Sequence, residues 1–140
     1  RYLYALTHLN PTIEYGVTFE RGTVGEYGDR AQAFISGTAS IDNKGRVVHV
    51  GDIVRQTHRM WENVDALLAE ADMNLTDHAA QITVYLRDTA DYVTVRDLFA
   101  ARFPHVPTII TLAPVCRPEW LIEMECIAVA DRHNETYRPF

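Results

Sequence analysis

One segment in the first half of the chain alternates apolar and polar residues with the period of two that is typical of β-strands. In residues 31–41 one alternating set is apolar and the other contains serine and threonine, which predicts a strand with one buried face. Residues 16–28 mix valines and aromatics with Gly22 and Gly25, which indicates a strand interrupted by a bend or bulge. The turn sequence Asp-Asn-Lys-Gly at 42–45 then predicts that residues 46–48 return as a short strand.

The second half of the chain combines helical and strand periodicity. Asp52 is placed to cap a helix, and apolar residues then recur at spacings of three and four along one side as far as Ala71. A second amphipathic helix is predicted from Tyr92 to Phe103, where Pro104 ends it. Alternation in residues 78–86, 108–115 and 120–130 predicts three further strands, the last two on either side of a turn at 116–119.

The predicted order of elements is β, β, α, β, α, β, β, which has too few βαβ units for a doubly wound parallel sheet. It fits an α+β fold in which one mixed sheet has two helices packed on one face. The opposite sheet face carries polar groups and a substantial apolar area, so we expect other copies of the chain to bury it. The alternative is a partly hydrated sheet face on a monomer.

Composition indicates one ordinary globular domain. The 140 residues are 47% hydrophobic and 23% charged, which argues against disorder. The net charge is −6 and the 13 Lys and Arg residues are scattered, so nucleic acid is not an expected partner. No apolar stretch approaches the roughly 20 residues that cross a bilayer, and no signal-peptide pattern is visible, so a cytoplasmic protein without a membrane partner is expected. Arg1 in place of an initiator Met leaves open whether a longer chain precedes it.

The last predicted strand carries the most informative chemical feature, because Glu123 and Glu125 occupy alternate positions in an apolar run. A period of two places both carboxylates on the same face. Burial and a neighbouring like charge both favour the protonated form of a carboxyl group, which suits general acid–base catalysis near neutral pH. The alternative is that one or both carboxylates form structural ion pairs with arginines across the sheet.

Other candidate binding residues depend on their positions in the predicted elements. Ser36 and Gly37 lie inside a strand, where a glycine is explained by a ligand, a bulge or the long helix approaching the backbone. Three arginines lie near the ends of predicted elements, where together they could bind a carboxylate at one rim of the sheet: Arg87, Arg96 and Arg117. Each arginine taken singly is expected to be a solvated surface charge.

No metal site is predicted, because the six histidines show no ligand spacing supported by a cysteine or a third histidine. Cys116 and Cys126 are the only cysteines, and we expect both to be reduced thiols. Cys116 lies beside an arginine, but no histidine stands nearby in sequence to act as a base, so a packed or incidental thiol is favoured over a nucleophile.

Three stretches together resemble the RidA/YjgF superfamily: SGTASIDNKGRVVHVGDIVRQTHRMWENVDALLAEADM, QITVYLRDTADYVTVRDLFAARFP and LIEMECIAVA. The resemblance divides the chain into an N-terminal extension (1–16), a RidA/YjgF-like domain (17–130) and a C-terminal tail (131–140). It implies a chorismate-mutase-like (YjgF-type) fold and a homotrimer whose sheets form an inner barrel, with sites between neighbouring subunits. The deaminase branch of this superfamily hydrolyses reactive enamines and imines without a metal or organic cofactor.

The resemblance also implies site residues. The Ser-Gly of the family's early strand falls on Ser36 and Gly37, and its water-positioning glutamate falls on Glu123. The arginine with which the deaminase branch binds the substrate carboxylate falls on Ile109, which cannot bind a carboxylate. Thr111 takes the position of a nearby cysteine of the family, and Phe19 takes that of the aromatic residue in its first strand. Arg96 takes the position of an asparagine in the family's second helix.

Three functions are therefore considered. The first is a cofactor-independent, RidA-like hydrolase or deaminase that acts on small enamine, imine or related carboxylate metabolites in inter-subunit clefts, with Glu123 activating water and Arg96 or Arg117 binding the anion. The second follows from VCRPEWLIEMEC, TFERG and SGTASI, which are similar to the C-terminal part of the longer chorismatases and imply hydrolysis of chorismate or a similar enol ether. The third is a non-catalytic trimer that binds a small carboxylate. The endoribonuclease L-PSP label attached to this family gains no support from the acidic charge.

Overall fold

The alternating segments form a single six-stranded sheet in the order β1-β2-β3-β6-β4-β5. The structure is a computed structural model, and it describes residues 1–139. The strands are β1 (Tyr2–Leu3), β2 (Gly22–Glu26), β3 (Arg30–Ala39), β4 (Ala79–Leu86), β5 (Thr108–Leu112) and β6 (Ile122–Asp131). The helices are α1 (Ile53–Ala69), α2 (Leu75–His78) and α3 (Tyr92–Arg102). The sheet is mixed, since β4 and β5 run parallel while the other neighbouring strands are antiparallel.

Helix α1 begins where the sequence predicts, because the Asp52 side chain accepts a hydrogen bond from the backbone N–H of Arg55 at 2.9 Å. Its apolar side packs against β3 and β6. Asn63 is fully buried on this side, and its amide nitrogen donates to the carbonyl oxygens of Ala39 and Ile41, each at 3.0 Å. These bonds fix the helix to the end of β3.

The two long helices cover the same face of the sheet. Trp61 of α1 makes edge-on contacts with Phe99 and Phe103, at ring-centroid distances of 5.1 and 5.5 Å. Beneath them, alternate residues of the central strands are buried, among them Val84 of β4 and Met124 of β6. The predicted α+β architecture, one mixed sheet with helices on one face, is confirmed.

The other face of the sheet is open in the single chain. Phe34 of β3 is 45% exposed and Ile109 of β5 is 61% exposed, and both belong to the alternating set that points away from the helices. The apolar area expected on this face is therefore present. Within residues 1–139, no helix combines the length and apolarity that crossing a membrane requires.

Several predicted elements are shorter or paired differently in the structure. Residues 46–48 form only an isolated bridge between Ile41 and Val47, because the Asp42 side chain holds a compact turn through its bonds to Arg46. The strand predicted over residues 16–28 is reduced to β2, and the last two strands both shorten around their connecting loop. These last strands, β5 and β6, are not neighbours, since β4 lies between them.

Two features at the start of the sheet and after α1 were not predicted. The N-terminal residues form β1, which pairs with β2 and buries Leu3 completely. Helix α2 precedes β4 and contains His78, which the alternation had assigned to the strand. The N-terminal extension thus contributes to the core, while the limits of the 17–130 domain remain a prediction.

Candidate functional site

The centre of the candidate site is a bulge in β3 at Ser36 and Gly37, where the register with β6 shifts. The Ser36 backbone N–H donates to the carbonyl oxygen of Arg21 at 3.0 Å, and its hydroxyl donates to the carbonyl oxygen of Glu20 at 2.6 Å. The bulge therefore binds the segment that leads into β2. Ser36 and Gly37 also line an adjoining cleft.

Glu123 of β6 lies directly against Gly37. A β-carbon at position 37 would stand 3.1 Å from Cδ of Glu123 and would overlap one of its carboxylate oxygens. Gly37 does not adopt a positive φ, so the backbone conformation does not require glycine here. The glycine is explained by the space that the Glu123 carboxyl group occupies. The sequence left a ligand, a bulge or the long helix as explanations for Gly37. The bulge is confirmed. The group that approaches the backbone is the Glu123 side chain of the same chain.

The two carboxyl groups of β6 lie in different surroundings. Glu123 is half-buried, and burial followed by the charge of Glu125 raises its pKa above the ordinary value. Glu125 is exposed and accepts a hydrogen bond from the Tyr85 hydroxyl at 2.9 Å. Among residues 1–139, neither glutamate forms an ion pair with an arginine, and no hydrogen bond reaches the Glu123 carboxyl group. The structural ion pairs that the sequence left as an alternative are therefore not formed within the described part of the single chain.

A cleft of about 350 Å³ opens in front of Glu123. The β3 bulge and the two β6 carboxyl groups lie on one side of it, and segments outside the sheet supply the remaining walls. Those wall residues come from the stretch before β2 and from the loop between β5 and β6: Val17, Phe19, Arg21, Cys116, Arg117 and Trp120. The arrangement combines a half-buried acid, two arginines and aromatic surfaces in one concave site.

The structure brings only one of the three candidate arginines to this cleft. Arg117 lies in the wall, where its Nη1 donates to the carbonyl oxygen of Gly45 at 2.8 Å and its guanidinium stacks over Trp120 at 5.0 Å. Arg96 lies on α3, pairs with Asp97 at 2.8 Å and lines a separate groove between α3 and β5. Arg87, the third candidate, donates to backbone carbonyl oxygens of the β5–β6 loop and so stabilises that loop.

Ile109 and Thr111 are not in the cleft of the single chain. Both lie on β5, paired with residues of β4, so the whole width of β4 separates them from Glu123. Phe19, Ser36 and Gly37, in contrast, lie together with Glu123 as the resemblance implies. The binding roles of all these residues remain predictions.

Sequence reasoning missed one residue that lines the cleft, Arg21, and one that bonds a lining carboxylate, Tyr85. Arg21 is only 7% exposed, and its Nε and Nη2 donate to the carbonyl oxygen of Asn10 at 3.1 and 2.8 Å. The TFERG stretch contained this arginine, but nothing in the sequence showed that it would be buried beside the cleft. Tyr85 was missed because strand alternation does not tell which strand lies next to β6.

The cysteines and histidines offer little chemistry. Cys126 is buried in the sheet, and burial raises the pKa of its thiol to about 12. Cys116 is an exposed free thiol at the cleft wall. Within the part of the chain that the structure describes, no three His, Cys, Asp or Glu side chains are grouped as metal ligands would be.

Comparisons with known proteins support the same family. The sequence profile of the family described as Endoribonuclease L-PSP matches residues 25–130. The 3-aminoacrylate deaminase RutC of Acinetobacter baylyi is 32% identical over 97 residues, which are 68% of this chain and 76% of that protein. The YjgF gene product of E. coli superposes with a TM-score of 0.73 and 21% identity, covering 92% of this chain and 98% of that one. A chorismatase superposes with a TM-score of 0.77 and 25% identity, covering 91% of this chain but 43% of the chorismatase.

Proposed function

This chain belongs to the Endoribonuclease L-PSP family, the RidA/YjgF superfamily, and on that premise we propose that it is a cofactor-independent hydrolase of small imine or enamine carboxylates. Its fold is the chorismate-mutase-like, YjgF-type α+β fold. The observation that supports the proposal most directly is the half-buried Glu123 carboxyl group, which lies against Gly37 at the edge of a cleft. The deaminase named among the relatives supplies the reaction class.

Glu123 is suited to move a proton in both directions during imine hydrolysis. Its raised pKa favours the neutral carboxyl group, which donates a proton to the imine nitrogen as water adds to the C=N carbon. The resulting carboxylate accepts a proton from the attacking water. The neutral Glu123 carboxyl group then protonates the amino nitrogen of the carbinolamine and takes up the hydroxyl proton as the C–N bond breaks, so ammonia leaves and the carbonyl forms. Glu123 returns to its starting state, so no cofactor is consumed.

The cleft walls are suited to hold the rest of such a substrate. Arg117 places a guanidinium group at the wall, where it binds a carboxylate through paired N–H donors. The Ser36 hydroxyl donates its hydrogen to the backbone carbonyl oxygen of Glu20, so its oxygen is left to accept a hydrogen bond from the ligand. Phe19 and Trp120 provide apolar surface for the carbon skeleton.

We extend the proposal to a homotrimer that buries the open sheet face and completes the sites between subunits. The exposed apolar residues of that face, Phe34 and Ile109 among them, favour its burial. In such an assembly Arg96, Ile109 and Thr111 reach a site only from a neighbouring subunit. Light scattering on the purified chain tests this, because a trimer has three times the 15.9 kDa mass of the chain. A monomeric mass would remove the inter-subunit part of the proposal.

The direct test is hydrolysis of freshly generated 2-iminopropanoate, followed by the appearance of pyruvate above the spontaneous rate. Glu123→Gln preserves the shape of the side chain but cannot exchange the proton, so we expect it to abolish the enzymatic rate. Glu135→Gln removes a charge from a 91% exposed side chain in the C-terminal tail and serves as the matched control. A wild-type rate no greater than that of Glu123→Gln would refute the proposal.

A chorismatase-like reaction is the second candidate. It is favoured by the superposition with a chorismatase over 91% of this chain and by the presence of both Arg21 and Arg117 in one cleft, which suits a dicarboxylate. Incubation with chorismate tests it, since hydrolysis of the enol ether releases pyruvate. If neither substrate turns over but keto acids raise the melting temperature, the chain is instead a non-catalytic carboxylate-binding protein.

A further inference from the structure

The β5–β6 loop carries three residues of the cleft wall, Cys116, Arg117 and Trp120. The loop has no helix or strand of its own between Leu112 and Ile122. Side chains on a loop are held in place only as firmly as the backbone of that loop is bonded to the rest of the fold. The location of the Arg117 guanidinium in the cleft therefore depends on the groups that bond the loop backbone.

Arg87, the residue directly after β4, bonds this backbone from outside the cleft. Its Nη2 donates to the carbonyl oxygens of Val115 and Arg117, and its Nε donates to that of Trp120, each at 2.8 Å. Among residues 1–139, Arg87 pairs with no carboxylate and is not one of the residues that line the cleft. The planar guanidinium thus gathers three carbonyl oxygens of one loop, which a single ammonium group could not bond in the same fixed geometry.

The end of the loop next to β6 is held without the Arg87 side chain. The fully buried Gln56 of α1 donates to the carbonyl oxygen of Glu119 and accepts a hydrogen bond from the Leu121 N–H, each at 2.9 Å. The backbone N–H of Arg87 donates to the carbonyl oxygen of Leu121 at 3.0 Å. Glu123 then pairs with strands on both sides, β3 and β4. Loss of the Arg87 guanidinium should therefore release the wall and leave Glu123 in place.

We propose that Arg87 is a positioning residue for ligand binding: by bonding the loop backbone, its guanidinium holds Arg117 and Trp120 at the cleft wall. Two of its three acceptors are the backbone carbonyl groups of these two residues, whose side chains stack at 5.0 Å. The inference rests on the proposed function, in which Arg117 binds the substrate carboxylate. Arg87 acts through Arg117 and does not bind the carboxylate itself, as the sequence alone had suggested.

The first test follows the indole N–H signals in ¹⁵N–¹H NMR spectra of the whole chain and needs no substrate. The chain has two tryptophans, and Trp120→Phe assigns their signals. The Trp120 indole donates to the carbonyl oxygen of Ser40 at 3.0 Å and reports on the loop, whereas Trp61 is buried between the helices. Arg87→Ala should shift or broaden the Trp120 signal and leave the Trp61 signal at its wild-type position.

The second test measures the consequence for the substrate. For Arg87→Ala, KM for 2-iminopropanoate should rise about 10- to 100-fold, because a charge-assisted contact to the carboxylate is misplaced. The value of kcat should be largely retained, since Glu123 keeps its strand pairing. A role in overall stability alone would instead reduce the amount of folded enzyme, which lowers the apparent kcat and leaves KM unchanged.

Arg132→Ala is the matched control, because Arg132 also donates to a backbone carbonyl oxygen, that of Ala71 at 3.0 Å, and it does not line the cleft. It should change neither the Trp120 signal nor KM. If Arg87→Ala does not fold, Arg87→Lys decides by the same two measurements, since it keeps the charge and loses the planar fork.

The inference is overturned if the folded Arg87 variant keeps the wild-type Trp120 signal, or if that signal moves while KM stays at its wild-type value. A wild-type protein that hydrolyses no imine would remove the proposed function. In that case the Trp120 signal alone decides whether Arg87 positions the wall, so the two failures are distinguishable.

Discussion

Replacing Gly37 with alanine should separate the proposed role of Glu123 in catalysis from its effect on the fold. The new β-carbon would lie 3.1 Å from Cδ of Glu123 and overlap its carboxylate oxygen, while the backbone at position 37 needs no left-handed conformation. The obstructing group is the end of a flexible side chain. We therefore expect Glu123 to rotate out of its position rather than force β3 and β6 apart.

The expected change in stability is small, and the expected change in rate is large. Holding the displaced Glu123 away from its preferred rotamer costs about 0.5–1.5 kcal/mol. Glycine to alanine at a compatible backbone recovers about 0.4–1 kcal/mol by restricting the unfolded chain. These effects nearly cancel, so the free energy of unfolding should stay within about 1 kcal/mol of wild type. Loss of a positioned general acid–base group, in contrast, lowers a rate by about 100- to 10,000-fold.

Urea denaturation and the 2-iminopropanoate assay measure the two quantities on the same preparation. Gly22→Ala is the matched control, because its β-carbon would meet Ile35 Cδ1 at 3.0 Å and Leu3 Cδ1 at 3.2 Å, both in the core. Overpacking there should cost about 1–3 kcal/mol while the rate per folded molecule is retained. The reasoning fails if Gly37→Ala hydrolyses the imine at the wild-type rate, or if it loses as much stability as Gly22→Ala.

Three further predictions concern stability and its dependence on pH. Asn63→Ala should lower the free energy of unfolding in urea by about 1–3 kcal/mol, because two buried carbonyl oxygens at and just beyond the end of β3 lose their donor; an unchanged midpoint would contradict this. The hydrogen bond from Arg46 lowers the pKa of Asp42 from 3.8 to about 2, so its stabilisation is present above pH 3.8 and lost as the pH falls through about 2. Asp42→Asn should therefore be less stable than wild type above pH 3.8, and the difference should shrink as the pH falls toward about 2, which denaturation curves at both pH values check. Folding raises the pKa of Glu123, so the wild type loses stability as the pH rises through the folded-state pKa of this group. The free energy of unfolding of Glu123→Gln should therefore rise relative to that of the wild type as the pH increases. A difference between the two proteins that does not change with pH would show that the carboxyl group is not desolvated.

The periodicity of the sequence predicts most of the elements but not how the strands are ordered. Alternation identifies β3, β4 and β6 and shows which residues of each strand share a face. It contains no information about which strands are neighbours, because pairing is decided by long-range packing. The position of β6 between β3 and β4 was therefore not predictable, and neither was the bond from Tyr85 to Glu125.

The candidate site was predictable where residues are adjacent in one strand and not where loops supply them. Ser36, Gly37 and Glu123 were identified because a glycine and a carboxylate are unusual inside apolar strands. Arg21 was missed, since its burial depends on Asn10 approaching from the N-terminal segment. Arg96 lies on the helical side of the single chain, so its predicted role depends on an assembled oligomer.

Within one chain, the cations of the cleft lie outside β5, the strand that carries the position of the family's carboxylate-binding arginine. In the same chain, position 109 is separated from Glu123 by the width of β4, whereas Arg21 and Arg117 lie in segments that border the β3 bulge and Glu123 directly. A carboxylate ligand in one chain is attracted to these arginines, since Ile109 carries no charge. Under the proposed function, we expect the reacting carbon of that ligand to lie between these arginines and Glu123. Under the proposed function, we therefore expect Arg21 and Arg117, rather than position 109 of the same chain, to bind the ligand carboxylate while Glu123 transfers the proton.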